Sequence, residues 1–571
     1  MPALPAIPSW LKCPWSRTLL RGTTFIVVLY GYMRLMEGFG GFSTGNLHHQ
    51  FVELGLMLYL YALFHMALKP GRWRSVLAAL PLLLVYLVHD IFYLVFGKVF
   101  RLSNIAEFPE LVQILPVGYS ATLMAVLILP LALFLVRVDY RQPRRLALWF
   151  APLVLITVAV KATPEAFAHT FEQVSAGIVK YSDGKSVEEN GRLAMLAYRE
   201  AQRSSAIDKL APYRDRERYE HKAAALADEL RPHNSRRNIH LIVLESFLDP
   251  RLFRDLRFSS SPVHPDFEKL FGNQLGLSLS PVFGGSTAQA EFEVLCGVPA
   301  FEQLSSIEFN VFSGAAAHCL PGTLKDLGYR SVASNPYKPN FFNALPGYQG
   351  TGFSEIYFPE EFTADKKTYL HVGNPGVEEY IFDQGLFEQN LQFIRSHRRE
   401  HPDQPLFNYM LTIYGHTPHL LDPEKRPERI DLISNYPDDH LYRSVNQFYY
   451  RTEAIAAYVN SLRAMDKESL IILVSDHVPP LRNGPNTYNA LRYLDNRENS
   501  YFYNRLAILE NGKATVYPAL HHYELPSLIL NYLSEGEYCR SHACAFLDSS
   551  QRMAREAYMD RYLRLMAHAA E

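Results

Sequence analysis

Four kinds of feature are scarce in this chain, and each scarcity removes a class of function. Net charge is nearly absent: 56 Lys and Arg stand against 58 Asp and Glu, a balance of −2 over 571 residues. No cluster of Lys and Arg interleaved with aromatics occurs either, so a nucleic-acid partner has no electrostatic footprint. Cysteine is sparse, five residues in all, and none stands in a CxxC pair, which leaves a zinc ribbon without its usual ligand spacing. A small-residue cleavage site is missing after the first apolar segment, and further apolar segments follow, so that segment does not read as a removed signal peptide. Long apolar runs are lacking after about residue 160, where most of the charge lies; the mean hydropathy of −0.09 therefore averages two unlike parts.

What is present begins with five apolar segments, 18–35, 51–68, 75–96, 117–136 and the shorter 146–160, each a candidate for a bilayer span of about 20 residues. Basic residues alternate between them. Lys12, Arg17 and Arg21 precede or open the first, Lys69, Arg72 and Arg74 follow the second, and Arg137, Arg141, Arg144 and Arg145 follow the fourth. The opposing loops carry only Lys98 and Arg101, with none between Glu37 and Gln50. By the positive-inside rule the N-terminus is cytoplasmic, and an odd number of spans puts everything after about residue 161 outside. Within the spans, His89-Asp90 and Arg34 are costly groups in hydrocarbon. They read either as a proton or substrate path or as pairing between helices or near the headgroups, and no role is assigned to them. Cysteine usage agrees with export: Cys13 lies on the cytoplasmic side, while Cys296, Cys319, Cys539 and Cys544 form an even external set, for which Cys296–Cys319 and Cys539–Cys544 are the favoured pairs.

Three regions follow: a membrane domain at 1–160, a helical linker at 161–237 and an external domain at 238–571. In the linker, 197–232 reads as two charged helices interrupted at Pro212, holding the domain at the membrane face. From Asn238 the pattern alternates between strand and helix. Residues 239–244 and 469–474 are compact apolar runs suited to strands buried on both faces, with strand-like 331–333 and 407–413 and helix-like 322–327 and 452–465 between them. The expectation is an α/β sandwich with a mainly parallel sheet, whose site sits at the carboxyl ends of the strands.

Those ends carry chemistry. The first strand ends in Glu245-Ser246 and a later one in Ser475-Asp476-His477, which together supply hard oxygen and borderline nitrogen ligands for a divalent metal. A third segment, Tyr414-Gly415-His416-Thr417-Pro418-His419, puts imidazoles after another strand. Between them in sequence lies 281–297, PVFGGSTAQAEFEVLCG, in which Gly284-Gly285 permits a tight turn and Ser286-Thr287 opens a helix at 288–295. A hydroxyl at a helix N-terminus is an N-cap or, beside a metal, a nucleophile near a natural anion site.

NIHLIVLESFLDP, GGSTAQAEFEVLCG, IYGHTPH and VSDHVPPL resemble, in order and spacing, the motifs of the lipoteichoic acid synthase-like phosphoglycerol transferases of the alkaline phosphatase/sulfatase superfamily. The five-span part with an external catalytic domain is similar to that family as well. The resemblance implies metal ligands at Glu245, Thr287, Asp476 and His477, Thr287 as nucleophile, and His416 as proton donor beside the substrate phosphate. It implies manganese or magnesium, with zinc in the related phosphoethanolamine transferases. It also implies a multi-pass protein of the bacterial cytoplasmic (inner) membrane, catalytic domain extracytoplasmic or periplasmic, moving phosphoglycerol from phosphatidylglycerol to an envelope glycan, lipid or polymer through a phospho-threonine. One departure bears on the donor. The head-group stretch Phe-Trp-Asn-Arg of the family is here Phe341-Phe342-Asn343-Ala344, without its arginine. Asn343 stays a substrate-binding candidate, and Lys338 would supply the lost charge without reproducing a bidentate clamp.

Three rivals stand beside this reading: a phosphoethanolamine transferase using phosphatidylethanolamine, a hydrolase of the sulfatase or phosphodiesterase type, and a lipid-binding sensor without turnover. Formylglycine sulfatases need C/S-x-P/A-x-R, and Ser286-Thr287-Ala288-Gln289-Ala290 lacks the arginine.

Overall fold

The computed structural model describes residues 14–571 apart from 45–48, 97–98, 110–111, 113–116, 176, 179–182, 364–366 and 435. Lys12, Cys13 and Lys98, used above for orientation, lie outside the described residues. The chain forms two compact units, Met1–Ile207 and Asp208–Glu571.

In the first unit every apolar segment is helical: α1 (Pro14–Gly38), α2 (Phe51–Ala67), α3 (Arg74–Phe96), α4 (Val117–Arg137) and α5 (Pro143–Ala162), followed by α6 (Pro164–Val174) and α7 (Arg192–Asp208). Among the described residues two helices, Arg74–Leu94 and Val117–Arg137, are long and apolar enough to cross a membrane. The pair Leu146–Ala162 and Pro164–Val174, bent by 113°, makes a third if it counts as one span. The five expected spans thus reduce to two or three by length and composition, for physical reasons. Helix α2 has 17 residues, and Arg21 and Arg34 dilute the apolar character of α1. The costly polar groups are paired within the unit. Arg34 Nη1 donates to Glu37 at 2.6 Å and to Thr44 at 3.0 Å. Asp90 Oδ1 accepts from Arg192 Nε at 2.9 Å and Nη2 at 2.6 Å. Glu53 accepts from the Tyr86 hydroxyl at 2.6 Å and from the N–H groups of Leu193 and Ala194 at 3.1 and 2.8 Å, at the start of α7.

The second unit opens with a helix, Arg216–Leu230, beyond the break that Pro212 makes. It is built on a sheet of nine strands among the described residues: β1 (Ile239–Leu244), β2 (Gly276–Leu279), β3 (Arg330–Ser334), β4 (Glu355–Tyr357), β5 (Leu406–Leu411), β6 (Leu470–Ser475), β7 (Tyr503–Glu510), β8 (Lys513–Thr515) and β9 (Leu520–His521). The order is β4-β3-β5-β1-β6-β7-β2-β9, with β8 paired to β7. From β4 to β6 every pairing is parallel; β7 then runs antiparallel to both β6 and β2. Strands β1, β5 and β6 are buried at every position, as the continuous Leu/Ile/Val runs require of central parallel strands covered on both faces.

Period-two alternation sorts the two covers. Ile242, Leu244, Met410, Ile471 and Leu473 join one apolar cluster with Phe387, Leu391 and Ile394 of α9 (Asp383–Glu400) and Ile455, Val459 and Leu462 of α10 (Asp439–Met465). Tyr409, next to Met410, faces the other way, and its hydroxyl reaches Glu291 of α8 (Thr287–Cys296) at 2.6 Å. Helices on both faces give the expected α/β sandwich. Disulfides join Cys296 to Cys319 and Cys539 to Cys544, the two favoured pairs.

Candidate active site

Strands β5, β1 and β6 are adjacent and parallel, so their carboxyl ends lie at one edge of the sheet. Register then does the rest: Leu244 pairs with Ser475 and Val243 with Leu411. The next residues along, Glu245, Asp476 and Thr412, are therefore neighbours. The Glu245 N–H donates to Thr412 Oγ1 at 3.0 Å, and the Asp476 N–H to the Leu244 carbonyl at 3.2 Å. At Ser246 the backbone turns left-handed, φ 47°, and leaves the sheet. That turn aims its N–H at Asp476 Oδ1, 2.7 Å away, and its hydroxyl donates to Glu245 Oε1 at 2.8 Å.

Glu245, Asp476 and His477 offer ligand atoms that all lie within 4.8 Å of one another. They are 4, 0 and 2 % exposed. The His477 ring is oriented through Nδ1, which donates to the Val478 carbonyl at 3.1 Å, so Nε2 turns to Asp476 Oδ2 at 3.3 Å and Glu245 Oε1 at 4.0 Å. No Lys or Arg pairs with either carboxylate among the described residues, and the buried Asp476 Oδ2 accepts no hydrogen bond. Burial pushes the Asp476 carboxyl up to about 6. Burial also raises Glu245, and the Asp476 charge adds to this against the pull of the His477 and His416 imidazoles. Two buried like charges with no cation are costly, and an orphaned carboxylate oxygen beside an imidazole nitrogen is the donor set a divalent metal takes. The residues fit such an ion.

Thr287 is the first residue of α8, behind Ser286 in the left-handed region at φ 63°. Its hydroxyl donates to Glu245 Oε2 at 3.0 Å. The preceding loop is tied to the β6 end: the Gly284 N–H donates to the Val478 carbonyl at 3.1 Å, and at φ 69° a Cβ on Gly284 would meet Pro480 at 3.0 Å. Glycine is needed there on both counts. Four residues distant in sequence, Glu245, Thr287, Asp476 and His477, are thus brought together.

His416 follows β5 on the same edge. Its Nδ1 donates to the Thr417 carbonyl at 2.7 Å, so Nε2 is the other ring nitrogen, and its ring meets the Tyr380 ring at 5.2 Å. Gly415 is fixed by close approach: a Cβ would fall inside the Glu245 carbonyl and against Arg451. Lys338 and Asn343 lie beyond β3 in the same parallel set. Lys338 Nζ stands 5.5 Å over the Tyr337 ring. The Asn343 amide nitrogen donates to the Phe309 and Phe312 carbonyls at 2.7 and 2.8 Å, and so holds a turn of its own unit.

Sequence reasoning missed the support beneath. Arg451 of α10, 2 % exposed, donates to the Glu245 carbonyl at 2.8 Å and to Thr412 Oγ1 at 3.3 Å, and its Nε pairs with Asp383 at 2.7 Å. An arginine amid a long helix and an aspartate opening another carry no local signal of this. Glu291, one turn along α8 from Thr287, accepts from the hydroxyls of Tyr348 and Tyr409, and burial lifts it to about 7. The spacing of four from Thr287 was the signal available for it.

Among known proteins, the chain is similar to a putative cyclic β-1,2-glucan modification protein of Rhizobium meliloti, 24 % identical over 268 residues, which covers 46 % of this chain and 38 % of that one. It is also similar to the lipoteichoic acid synthase of Staphylococcus saprophyticus, 23 % identical over 258 residues, or 42 % of this chain and 36 % of the relative. The chain therefore spans little more than a third of the length of these curated relatives. Among solved structures, the Streptococcus pyogenes phosphoglycerol transferase GacH, in complex with sn-glycerol-1-phosphate, superposes with a TM-score of 0.45 at 17 % identity, covering 63 % of this chain and 92 % of GacH. The sulfatase family model matches residues 237–528, half of the chain and the whole span that carries Glu245, Thr287, His416, Asp476 and His477; the protein belongs to the sulfatase family.

Proposed function

We propose that the protein is a metal-dependent membrane phosphotransferase that moves a phosphoglycerol head group from phosphatidylglycerol to an extracytoplasmic acceptor. The observation that carries this reading is the convergence of the Thr287 hydroxyl on a buried, uncompensated carboxylate–imidazole cradle: 3.0 Å from Glu245, with Glu245, Asp476 and His477 inside 4.8 Å. Glu245, Thr287, Asp476 and His477 would hold the ion, Mn2+ or Mg2+, which lowers the pKa of the hydroxyl and offsets charge on the phosphate oxygens.

The chain's own residues do the remainder. Thr287 forms the new P–O bond, and its proton leaves along the hydrogen bond to Glu245. The bond from phosphorus to the diacylglycerol oxygen breaks, and His416 Nε2 delivers the proton that oxygen needs. The N-terminus of α8, opened by Thr287, offers that phosphoryl group a favourable dipole. An acceptor hydroxyl then displaces Thr287 from phosphorus and gives up its proton to His416, while Glu245 returns its proton to the leaving Thr287 oxygen, which completes a ping-pong cycle. One phosphodiester replaces another, so no nucleotide is required outside the cell membrane.

The relative named for lipoteichoic acid synthesis supports the donor, and the one named for glucan modification supports a glycan acceptor, with a lipid or polymer end as the other forms. In this reading the helical region lies in the bacterial cytoplasmic membrane as five spans, α1, α2 and α5 joining the two long apolar helices, with the sulfatase-like unit outside. A second reading, transfer of phosphoethanolamine with zinc in the cradle, draws on Ala344 in place of the head-group arginine and on the commitment of Asn343 to two carbonyls.

The test supplies the purified full chain with phosphatidylglycerol or phosphatidylethanolamine carrying a fluorescent diacyl group and follows labelled diacylglycerol. Release from phosphatidylglycerol with Mn2+, lost in Thr287→Ala, is the expected result. Release from phosphatidylethanolamine alone transfers the assignment to the second reading, and unchanged release in Thr287→Ala removes the nucleophile.

A further inference from the structure

The strand-end cluster and the His416 loop come from different parts of the chain, yet a single short segment, residues 378–383, touches the support of both. Glu378, 4 % exposed, accepts from the Tyr414 hydroxyl at 2.7 Å, from the Asp422 N–H at 3.1 Å and from Arg426 Nε at 2.7 Å, with a second contact from Arg426 Nη2. All three donors lie on the loop that carries His416. The Arg426 guanidinium is also stacked 4.1 Å over the Phe382 ring. Two residues after Glu378, the Tyr380 ring meets the edge of His416 itself at 5.2 Å. Three further on, Asp383 is fully buried and pairs with Arg451, whose other nitrogens hold the Glu245 carbonyl and Thr412 Oγ1.

We propose that residues 378–383 are a brace that sets the two halves of the site against each other: Glu378 positions the His416 loop through Tyr414 and Arg426, and Asp383 positions the Glu245 main chain through Arg451. Neither residue touches substrate. Both act through another group, so both are positioning residues for the reaction proposed above, on which this inference rests for its catalytic part alone. The physical ground is that His416 sits on a loop with no strand hydrogen bonds of its own beyond β5, whereas proton delivery fails with a displacement of about 1 Å. A buried carboxylate taking charge-assisted donors from one loop is a strong way to remove that freedom. The two anions are separable in function because each grips a different element.

The experiment uses the full chain in detergent and the variants Glu378→Gln, Tyr414→Phe and Asp383→Asn. Mn2+ affinity is read by calorimetry and backbone mobility by hydrogen exchange. Asp383→Asn should weaken Mn2+ binding about tenfold. Glu378→Gln should leave Mn2+ affinity within about twofold while exchange across residues 414–426 rises and exchange across 284–297 does not. If Glu378→Gln fails to fold, Tyr414→Phe, which removes one phenol from Glu378, carries the same arm with a smaller rise. Wild-type Mn2+ affinity in Asp383→Asn, or unchanged exchange over 414–426 in the Glu378 and Tyr414 variants, overturns the brace. Where diacylglycerol release is measurable, Glu378→Gln combined with His416→Ala should be no slower than His416→Ala alone, since a misplaced imidazole and a missing one fail alike; additive losses count against the assignment. If the wild type releases no diacylglycerol from any lipid, the transferase reading falls, while the Mn2+ and exchange measurements still decide the brace.

Discussion

The two units bury carboxylates in opposite ways. In the membrane unit Asp90 takes two hydrogen bonds from one buried arginine, and Glu53 takes one phenol and two main-chain N–H groups. The Arg192 guanidinium is further packed 4.6 Å over the Tyr86 ring. These contacts are architecture: the polar groups of α2 and α3 fasten the start of α7. In the second unit the same solution exists away from the site, where Asp383 pairs with Arg451 and Asp249 with Arg251 and Arg505. At the strand ends it is withheld. Glu245 and Asp476 lie together beside the His477 imidazole, and no Lys or Arg pairs with either among the described residues. Two buried carboxylates that converge with an imidazole, and lack the arginine given to Asp90, Asp249 and Asp383, make a place suited to a cation from outside.

The contrast predicts opposite trade-offs between activity and stability. Thr287→Ala should lower diacylglycerol release by at least about 10³-fold, because the attacking oxygen is gone, while the melting temperature in chelator stays nearly constant. Asp476→Asn should abolish release and raise the chelator melting temperature by roughly 2–4 °C, since it neutralises one of two uncompensated anions. Arg192→Met should do the reverse. It strands Asp90 and costs about 3–5 kcal/mol in the membrane unit, with Mn2+ affinity of the folded protein unchanged. A destabilised Asp476→Asn protein, or an Arg192→Met protein as stable as wild type, would dissolve the distinction. Smaller, and bearing on the junction of the two site halves, is Gly415→Ala. Its methyl would enter the space of the Glu245 carbonyl and Arg451, an overpacking cost of about 3 kcal/mol accompanied by weaker Mn2+ binding, readable by denaturant melts with and without the ion.

How much of this was legible in the sequence follows from the range of each interaction. Strand β1 was read at its full extent because six consecutive apolar residues need both faces covered; Glu245, Asp476 and His477 stood out as ligand candidates because they follow such runs, and Thr287 by the family resemblance. Pro212 marked the helix break because its ring forbids continuation. Of the five expected spans, two, or three with the bent pair, have the length and composition of a crossing among the described residues, since α1 carries arginines and α2 has 17 residues. What stayed hidden is everything that depends on pairing across the fold. Register between β1 and β6 decides that Glu245 and Asp476 are neighbours, and nothing in either segment states it. Arg451 lies 206 residues from Glu245, and Glu378 is 36 residues from Tyr414. Asn343 was a substrate-binding candidate by family resemblance, and the contacts of its amide nitrogen with the Phe309 and Phe312 carbonyls are ones that only folding brings near.

The smallest effect concerns acids that have neither a cation nor a metal to expect. Glu291 and Glu308 are buried, and burial lifts both from an ordinary 4.5 to about 7. Their partners are neutral: the hydroxyls of Tyr348 and Tyr409 for Glu291, the Gln289 amide and the Glu302 N–H for Glu308. The folded state therefore holds protons that the unfolded chain has released anywhere between pH 4.5 and 7. Since the fold binds more protons in that window, stability is greatest below it, falls as pH rises through it, and levels off above. Each acid should contribute up to about 3 kcal/mol to the decline. Melting temperatures of the full chain in chelator from pH 5 to pH 8 measure it, and Glu291→Gln, which keeps an oxygen for both phenols but has no proton to lose, should flatten the slope. An unchanged slope in Glu291→Gln would mean that this carboxylate has a compensating donor after all, as Asp90 has in Arg192.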